Sequence, residues 1–69
     1  MQQVGSMTNQ ELKEALLQRC PVVCRGITYG RVSGIIYRTA NGQIVVTAEL
    51  MDKNGSSVTI AEPRNISKE

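Results

Sequence analysis

The chain has 69 residues, of which 41% are apolar, as is ordinary for one small globular domain and unlike a disordered chain. No apolar run approaches the ~18 residues of a membrane span, and the first residues lack a signal-peptide pattern, so we expect a cytoplasmic protein with no membrane contact. The formal net charge is only +2, which is small for a protein that binds nucleic acid through phosphate contacts.

The pattern of apolar residues divides the chain into three parts. Residues 1–6, of sequence MQQVGS, show no pattern and are interpreted as a leader or a cloning scar, with Met7 as the native start. Residues 7–69 are predicted to form a single domain, with a helix over about residues 8–19 and a β meander over about residues 22–66.

A capping box marks the start of the helix. The Thr8 hydroxyl is spaced to accept from the amide of Glu11, whose carboxylate reaches back to the Thr8 amide. Pro21 ends the helix, because the residue before a proline is pushed out of the α region. The apolar stripe that should dock on the rest of the domain consists of Leu12, Ala15 and Leu16.

Turn residues organise the strands that follow. Arg25-Gly26 is predicted to be a two-residue turn, and Asn41-Gly42 is the dipeptide favoured in type I′ hairpins. The second turn places Tyr37 opposite Val46 and Ser33 opposite Leu50. One face of this hairpin is then apolar and is predicted to be core: Ile35, Tyr37, Ile44, Val46, Ala48 and Leu50.

A third turn has two candidate registers. A two-residue loop at Asn54-Gly55 would turn Val58 and Ile60 away from the apolar face. A three-residue loop, Lys53-Asn54-Gly55, pairs Leu50 with Val58 and keeps that face continuous, so it is the predicted one. The fold class is therefore α+β and mostly β: an N-terminal helix followed by a small bent antiparallel sheet or SH3-like barrel of four to five strands.

The opposite face of the meander mixes apolar and charged side chains. It is too apolar for plain solvent surface and too polar for a core, which is typical of a surface that binds a partner. We expect this face to bind a partner protein, with a homodimer as an alternative. Its predicted partner-binding residues are Val32, Ile36, Arg38, Val45, Glu49 and Met51.

Residues with acid–base or metal-binding chemistry are few. The chain has no histidine, and Cys20 and Cys24 alone cannot supply the four ligands of a structural zinc site, so both are interpreted as small buried residues and no metal or cofactor is expected. Asp52 is predicted to pair with Arg31 across the hairpin, and Glu49 to be solvated or in contact with a partner. The pattern predicts a protein without enzymatic activity.

The arginines indicate an alternative function, which is the binding of phosphate groups. Between Ala15 and Ala48 there is no acidic residue, and a strip of Arg25, Arg31 and Arg38 is an alternative phosphate-binding site for nucleic acid or a nucleotide. Both tyrosines fall on predicted core faces and are interpreted as packing residues rather than as platforms for base stacking. The element order is similar to that of Sm-type RNA-binding barrels, but Ile35 stands where that family carries its acidic or asparagine signature.

Two segments carry a resemblance to a group of small proteins. Residues 21–38 are PVVCRGITYGRVSGIIYR, and residues 48–66 are AELMDKNGSSVTIAEPRNI. They resemble uncharacterised proteins of prophages and conjugative elements in Gram-positive, Clostridia-like bacteria, which share a G-I-x-Y segment, an I-I-Y-R strand and a D-K-x-G-x-S-V-T-I hairpin. The resemblance implies a non-catalytic binding protein, such as an inhibitor of a host defence system of the anti-CRISPR kind.

Overall fold

A computed structural model describes residues 7–69 and contains one helix and six short strands. The predicted leader lies outside the described residues. The elements in chain order are α1 (Asn9–Gln18), β1 (Val22–Cys24), β2 (Ile27–Tyr29), β3 (Arg31–Ala40), β4 (Gln43–Met51), β5 (Val58–Ala61), a 3₁₀ turn (Pro63–Asn65) and β6 (Ile66–Lys68).

The helix has both ends that its sequence predicts. Thr8 Oγ1 accepts from the Glu11 amide at 3.1 Å, and Glu11 Oε1 accepts from the Thr8 amide at 2.9 Å, so the capping box is confirmed. At the other end, Arg19 takes a left-handed conformation and its amide donates to the Ala15 carbonyl, which closes the last turn. Leu12 and Ala15 are buried, and they dock the helix on the core.

The strands form two antiparallel sheets of three strands each, in the orders β2-β1-β6 and β3-β4-β5. Gly30 alone separates β2 from β3, and its amide donates to the Met51 carbonyl at 2.8 Å. A Cβ at Gly30 would lie 3.1 Å from the Asp52 carbonyl oxygen, so only glycine fits here without a shift. The mostly-β class with an N-terminal helix is confirmed, but the described strands do not join into a closed barrel.

The core lies between the helix and the two sheets. Every element except β2, β5 and the 3₁₀ turn contributes a buried apolar residue, and the largest fully buried side chains are Leu12, Val22, Val32, Leu50 and Ile66. Because these come from α1, β1, β3, β4 and β6, one shared core holds both sheets and the helix together.

Both two-residue turns are confirmed. Arg25-Gly26 joins β1 to β2 and Asn41-Gly42 joins β3 to β4, and all four residues have positive φ, as a type I′ turn requires. Tyr37 pairs with Val46, as predicted.

A β-bulge at Ser33 changes the register in the first half of β3. Leu50 pairs with Val32, so the predicted pairing of Ser33 with Leu50 is wrong. Val32 and Ile35 are three positions apart, and strict alternation cannot turn both towards the core. The extra residue at Ser33 lets both face inward, and Val32 is fully buried. Val32 therefore belongs to the core and not to the predicted partner-binding face.

The turn between β4 and β5 also differs from its prediction. Met51 pairs with Val58 and Glu49 with Ile60, so the predicted pairing of Leu50 with Val58 is wrong. Asp52 accounts for the difference. Its carboxylate accepts from the Ser56 amide at 2.9 Å and from the Ser56 and Ser57 hydroxyls at 3.0 Å, and its amide donates to the Ser57 carbonyl. These bonds favour the loop of residues 52–57 over a continuous apolar face.

The far end of the β3–β4 hairpin is exposed, although its apolar face was predicted to be core. Tyr37 is 54% exposed and Ile44 is 71% exposed. Ile35 and Val46 are the last residues of that face to pack on the core, so the hairpin projects beyond it. The interpretation of Tyr37 as a core packing residue is therefore wrong, whereas Tyr29 is partly buried against the core as expected.

Replacing Asp52 by asparagine tests the loop. The hydrogen bond from the Ser56 amide, helped by the two serine hydroxyls, lowers the pKa of the Asp52 carboxyl. A lowered pKa in the folded state stabilises the protein above the unfolded pKa, and that contribution is lost as the pH falls through the folded pKa. We expect Asp52→Asn to have a lower free energy of unfolding than the parent at about pH 7, and the difference to shrink below about pH 4. Urea unfolding of both proteins across this range measures it, and a difference independent of pH would contradict the account.

Candidate partner-binding surfaces

The outer face of the second sheet is the side of β3, β4 and β5 that is turned away from the core. Residues paired directly across antiparallel strands share a face, so the register assigns its members. The outer face consists of Arg31, Ile36, Arg38, Val45, Thr47, Glu49, Met51, Val58 and Ile60. It brings together every predicted partner-binding residue except the buried Val32.

Two apolar residues of the outer face were missed from the sequence. Val58 is 47% exposed and Ile60 is 50% exposed, and both pair with residues of the predicted face, Met51 and Glu49. Sequence reasoning placed them on the core side because it favoured a continuous apolar face. The signal that would have found them is the aspartate followed by serines four and five residues later, which is typical of a side-chain-capped loop.

The middle of the outer face is closely packed. Thr47 lies on β4 opposite Ile36, and it is only 4% exposed although it points away from the core. Its hydroxyl oxygen is buried and has no hydrogen-bond partner among the described residues. The side chains around Thr47 therefore already exclude water from its hydroxyl in the free chain.

Charged residues of both signs lie on this face, the arginines towards the ends of β3 and Glu49 on the central strand. The Arg31 Nη2 atom lies 3.7 Å from the Met51 sulfur, and Arg38 is exposed further along β3. Glu49 is held by the Ser33 hydroxyl, which donates to its Oε1 at 2.8 Å. A Cβ at Gly34 would lie 3.3 Å from the same oxygen, so the glycine leaves room for the carboxylate.

The predicted arginine strip is not one patch. Arg31 and Arg38 stand near opposite ends of β3, which at about 3.3 Å per residue places them roughly 20 Å apart. Glu49 pairs with Gly34 between them. Arg25 lies in the turn between β1 and β2 and borders a different depression from Arg38. Phosphate binding by all three together therefore needs a ligand of considerable length.

A groove lies between the β1–β2 hairpin and β5, with a volume of about 600 Å³. Its apolar lining includes Ile27, Tyr29 and Ile60, and Arg25 stands at its rim. Glu62 and Arg64 form an ion pair along it, with Arg64 Nε 2.7 Å from Glu62 Oε1. A second, more open depression of about 580 Å³ lies at the exposed tip of the β3–β4 hairpin, beside Tyr37 and Ile44.

Groups with catalytic chemistry are dispersed in the structure. The predicted ion pair of Asp52 with Arg31 is wrong, because Arg31 pairs with Met51 and Asp52 binds the serines of its own loop. Cys24 is buried and Cys20 is half-buried, and both are free thiols. Within residues 7–69, no three His, Cys, Asp or Glu side chains are grouped closely enough to hold a metal ion, and no helix is long and apolar enough to cross a membrane.

Comparison with known proteins found no relative of this chain. No protein-family model, no curated protein and no solved structure matches the chain. Function is therefore inferred from the chain's own residues and their geometry.

Proposed function

We propose that the protein is a non-enzymatic binding module whose outer face binds a partner protein. The observation that supports this is the exposure of Val58 and Ile60 on β5, beside Met51 and Glu49 of β4 and on the same face of the sheet as Ile36. Leaving two β-branched side chains half exposed forgoes about 1 kcal/mol each in a domain with a small core. A partner that covers them recovers this free energy.

The layout of the outer face matches that of known interfaces. Apolar side chains flank the central strand, Arg31 and Arg38 lie towards the two ends of β3, and Glu49 lies on the central strand between Thr47 and Met51. Charges of both signs on this face favour a protein partner with complementary charges, since a nucleic acid would be repelled by Glu49. Binding through apolar contacts also agrees with the small net charge of +2.

We further propose a cytoplasmic role of the mobile-element type, in which binding blocks a host protein such as a component of a defence complex. The resemblance of residues 21–38 and 48–66 to prophage and conjugative-element proteins supports it. The finer architecture that we infer is SH3-like. Its support is that β6 returns to pair with β1 and that β2 continues into β3 through the bend at Gly30.

Ile36→Asp and Val58→Asp test the outer face, with Leu17→Asp as the matched control. Leu17 is 82% exposed on the helix, so the control makes the same chemical change to an apolar side chain outside the sheet. We expect affinity capture from cells that encode the chain to retain a protein with the parent and with Leu17→Asp. Both outer-face variants should lose it by at least tenfold, because a buried charge without a partner is costly at an interface. Thermal unfolding of each variant checks that it is folded.

Salt dependence separates this proposal from phosphate binding. Contacts through apolar side chains predict that the captured protein is retained in half-molar salt. If the parent instead retains nucleic acid that is released by salt and by the double change Arg25→Ala and Arg38→Ala, the arginine alternative is right and the outer-face proposal is wrong. Equal capture by all folded variants would also contradict the proposal.

A further inference from the structure

We propose that the groove between β2 and β5 binds an extended segment of a partner protein, which adds to the free edge of β5 as a further strand and places an acidic residue against Arg25. This second site uses the edge of β5. It shares Ile60 with the outer face, but Ile36, Val45 and Met51 of that face do not line the groove.

The edge of β5 offers backbone groups to an added strand. Among the described residues β5 pairs with β4 alone, so every second residue of Val58–Ala61 directs its N–H and C=O away from the sheet. Natural edge strands are usually protected by lysine, proline or inward-pointing charge. The β5 sequence, Val-Thr-Ile-Ala, contains none of these. The backbone chemistry of this edge is matched by an extended peptide.

The groove beside this edge is apolar at the positions that an added strand would contact. Ile27 is 57% exposed and Ile60 is 50% exposed, and the half-buried Tyr29 of β2 also lines the groove. Side chains of a strand alternate between two sides, so a segment paired with β5 directs every second side chain into the groove. We therefore expect apolar residues at alternate positions of the bound segment.

The charge of the groove selects an acidic residue. Glu62 and Arg64 neutralise each other in the ion pair at 2.7 Å. Arg25 is exposed, and no described residue forms an ion pair with it. The groove thus carries one uncompensated positive charge at the β1–β2 turn. A carboxylate of the bound segment complements this charge.

The backbone at Arg25 allows the effect of its charge to be tested separately from its effect on the turn. Its φ of 52° is in the left-handed region, where asparagine or glycine is favoured in a type I′ turn and where a side chain such as arginine costs roughly 1 kcal/mol. Arg19 has a similar φ at the end of α1, so the binding role of Arg25 rests on its place in the groove and not on its φ. Arg25→Asn therefore separates the two effects, because it suits the turn and removes the charge.

Selection from a displayed library of random dodecapeptides on the full chain tests the proposal. We expect the selected peptides to share alternating apolar residues and one acidic residue, and to shift the amide NMR signals of Ile27–Tyr29 and Val58–Ala61. N-methylation of the peptide amides that face β5 should abolish binding. Arg25→Asn should weaken binding several-fold without lowering the thermal midpoint, whereas the matched control Arg38→Asn, an exposed arginine outside the groove, should leave the affinity unchanged.

Several results would overturn the proposal. These are a failure to select any peptide, binding that survives N-methylation, and binding that Arg25→Asn leaves unchanged. Light scattering that shows a dimer with shifted β5 signals in the absence of peptide would identify a second copy as the occupant. Competition by a single-stranded oligonucleotide would identify a phosphate ligand. Ile36→Asp should not alter peptide affinity. A failure of the outer-face proposal can therefore be distinguished from a failure of the groove proposal.

Discussion

The hydrogen bonds of the Asp52 carboxylate determine which side chains of β5 lie on the surface of this protein. By accepting from Ser56 and Ser57, Asp52 closes the loop of residues 52–57 and determines how β5 meets β4. A shift of one residue exchanges the two faces of a strand, so this loop decides whether Val58 and Ile60 lie inside or outside. They lie outside, and the outer face and the wall of the groove both depend on that outcome.

The exposure of Val58 and Ile60 lowers the free energy of unfolding of a domain whose stability is already small. Few residues are fully buried, and they come from five different elements that surround one core. Thr59 holds the core-side position of β5 opposite Leu50 and is itself exposed, so β5 lies at the margin of the core. Local polar bonds that override apolar burial are typical of sites kept for binding rather than for stability.

Features governed by neighbouring residues were predictable from the sequence. The capping box of Thr8 and the turns at Arg25-Gly26 and Asn41-Gly42 depend on a few adjacent positions, and all three are confirmed. Five of the six predicted partner-binding residues lie together on the outer face, because period-two alternation holds through most of β3 and β4.

Features that depend on competition between local interactions and contacts of residues distant in the chain could not be predicted from the sequence in the same way. The bulge at Ser33 arises because Val32 and Ile35 must both reach the core, a need that appears only once the helix and β1 are in place. The exposure of Tyr37 and Ile44 reflects where the core ends, which alternation along a strand does not encode. The β5 register differs from its prediction because the hydrogen bonds of Asp52 with Ser56 and Ser57 outweigh apolar continuity, and the prediction rested on that continuity alone.

Cross-strand nuclear Overhauser effects between β4 and β5 test the central claim most directly, since they report the register itself. The account predicts contacts between the backbone protons of the pairs Met51–Val58 and Glu49–Ile60. Contacts of Leu50 with Val58 and of Ala48 with Ile60 would instead place both side chains on the core face. That result would remove the exposed apolar surface on which the proposed binding depends.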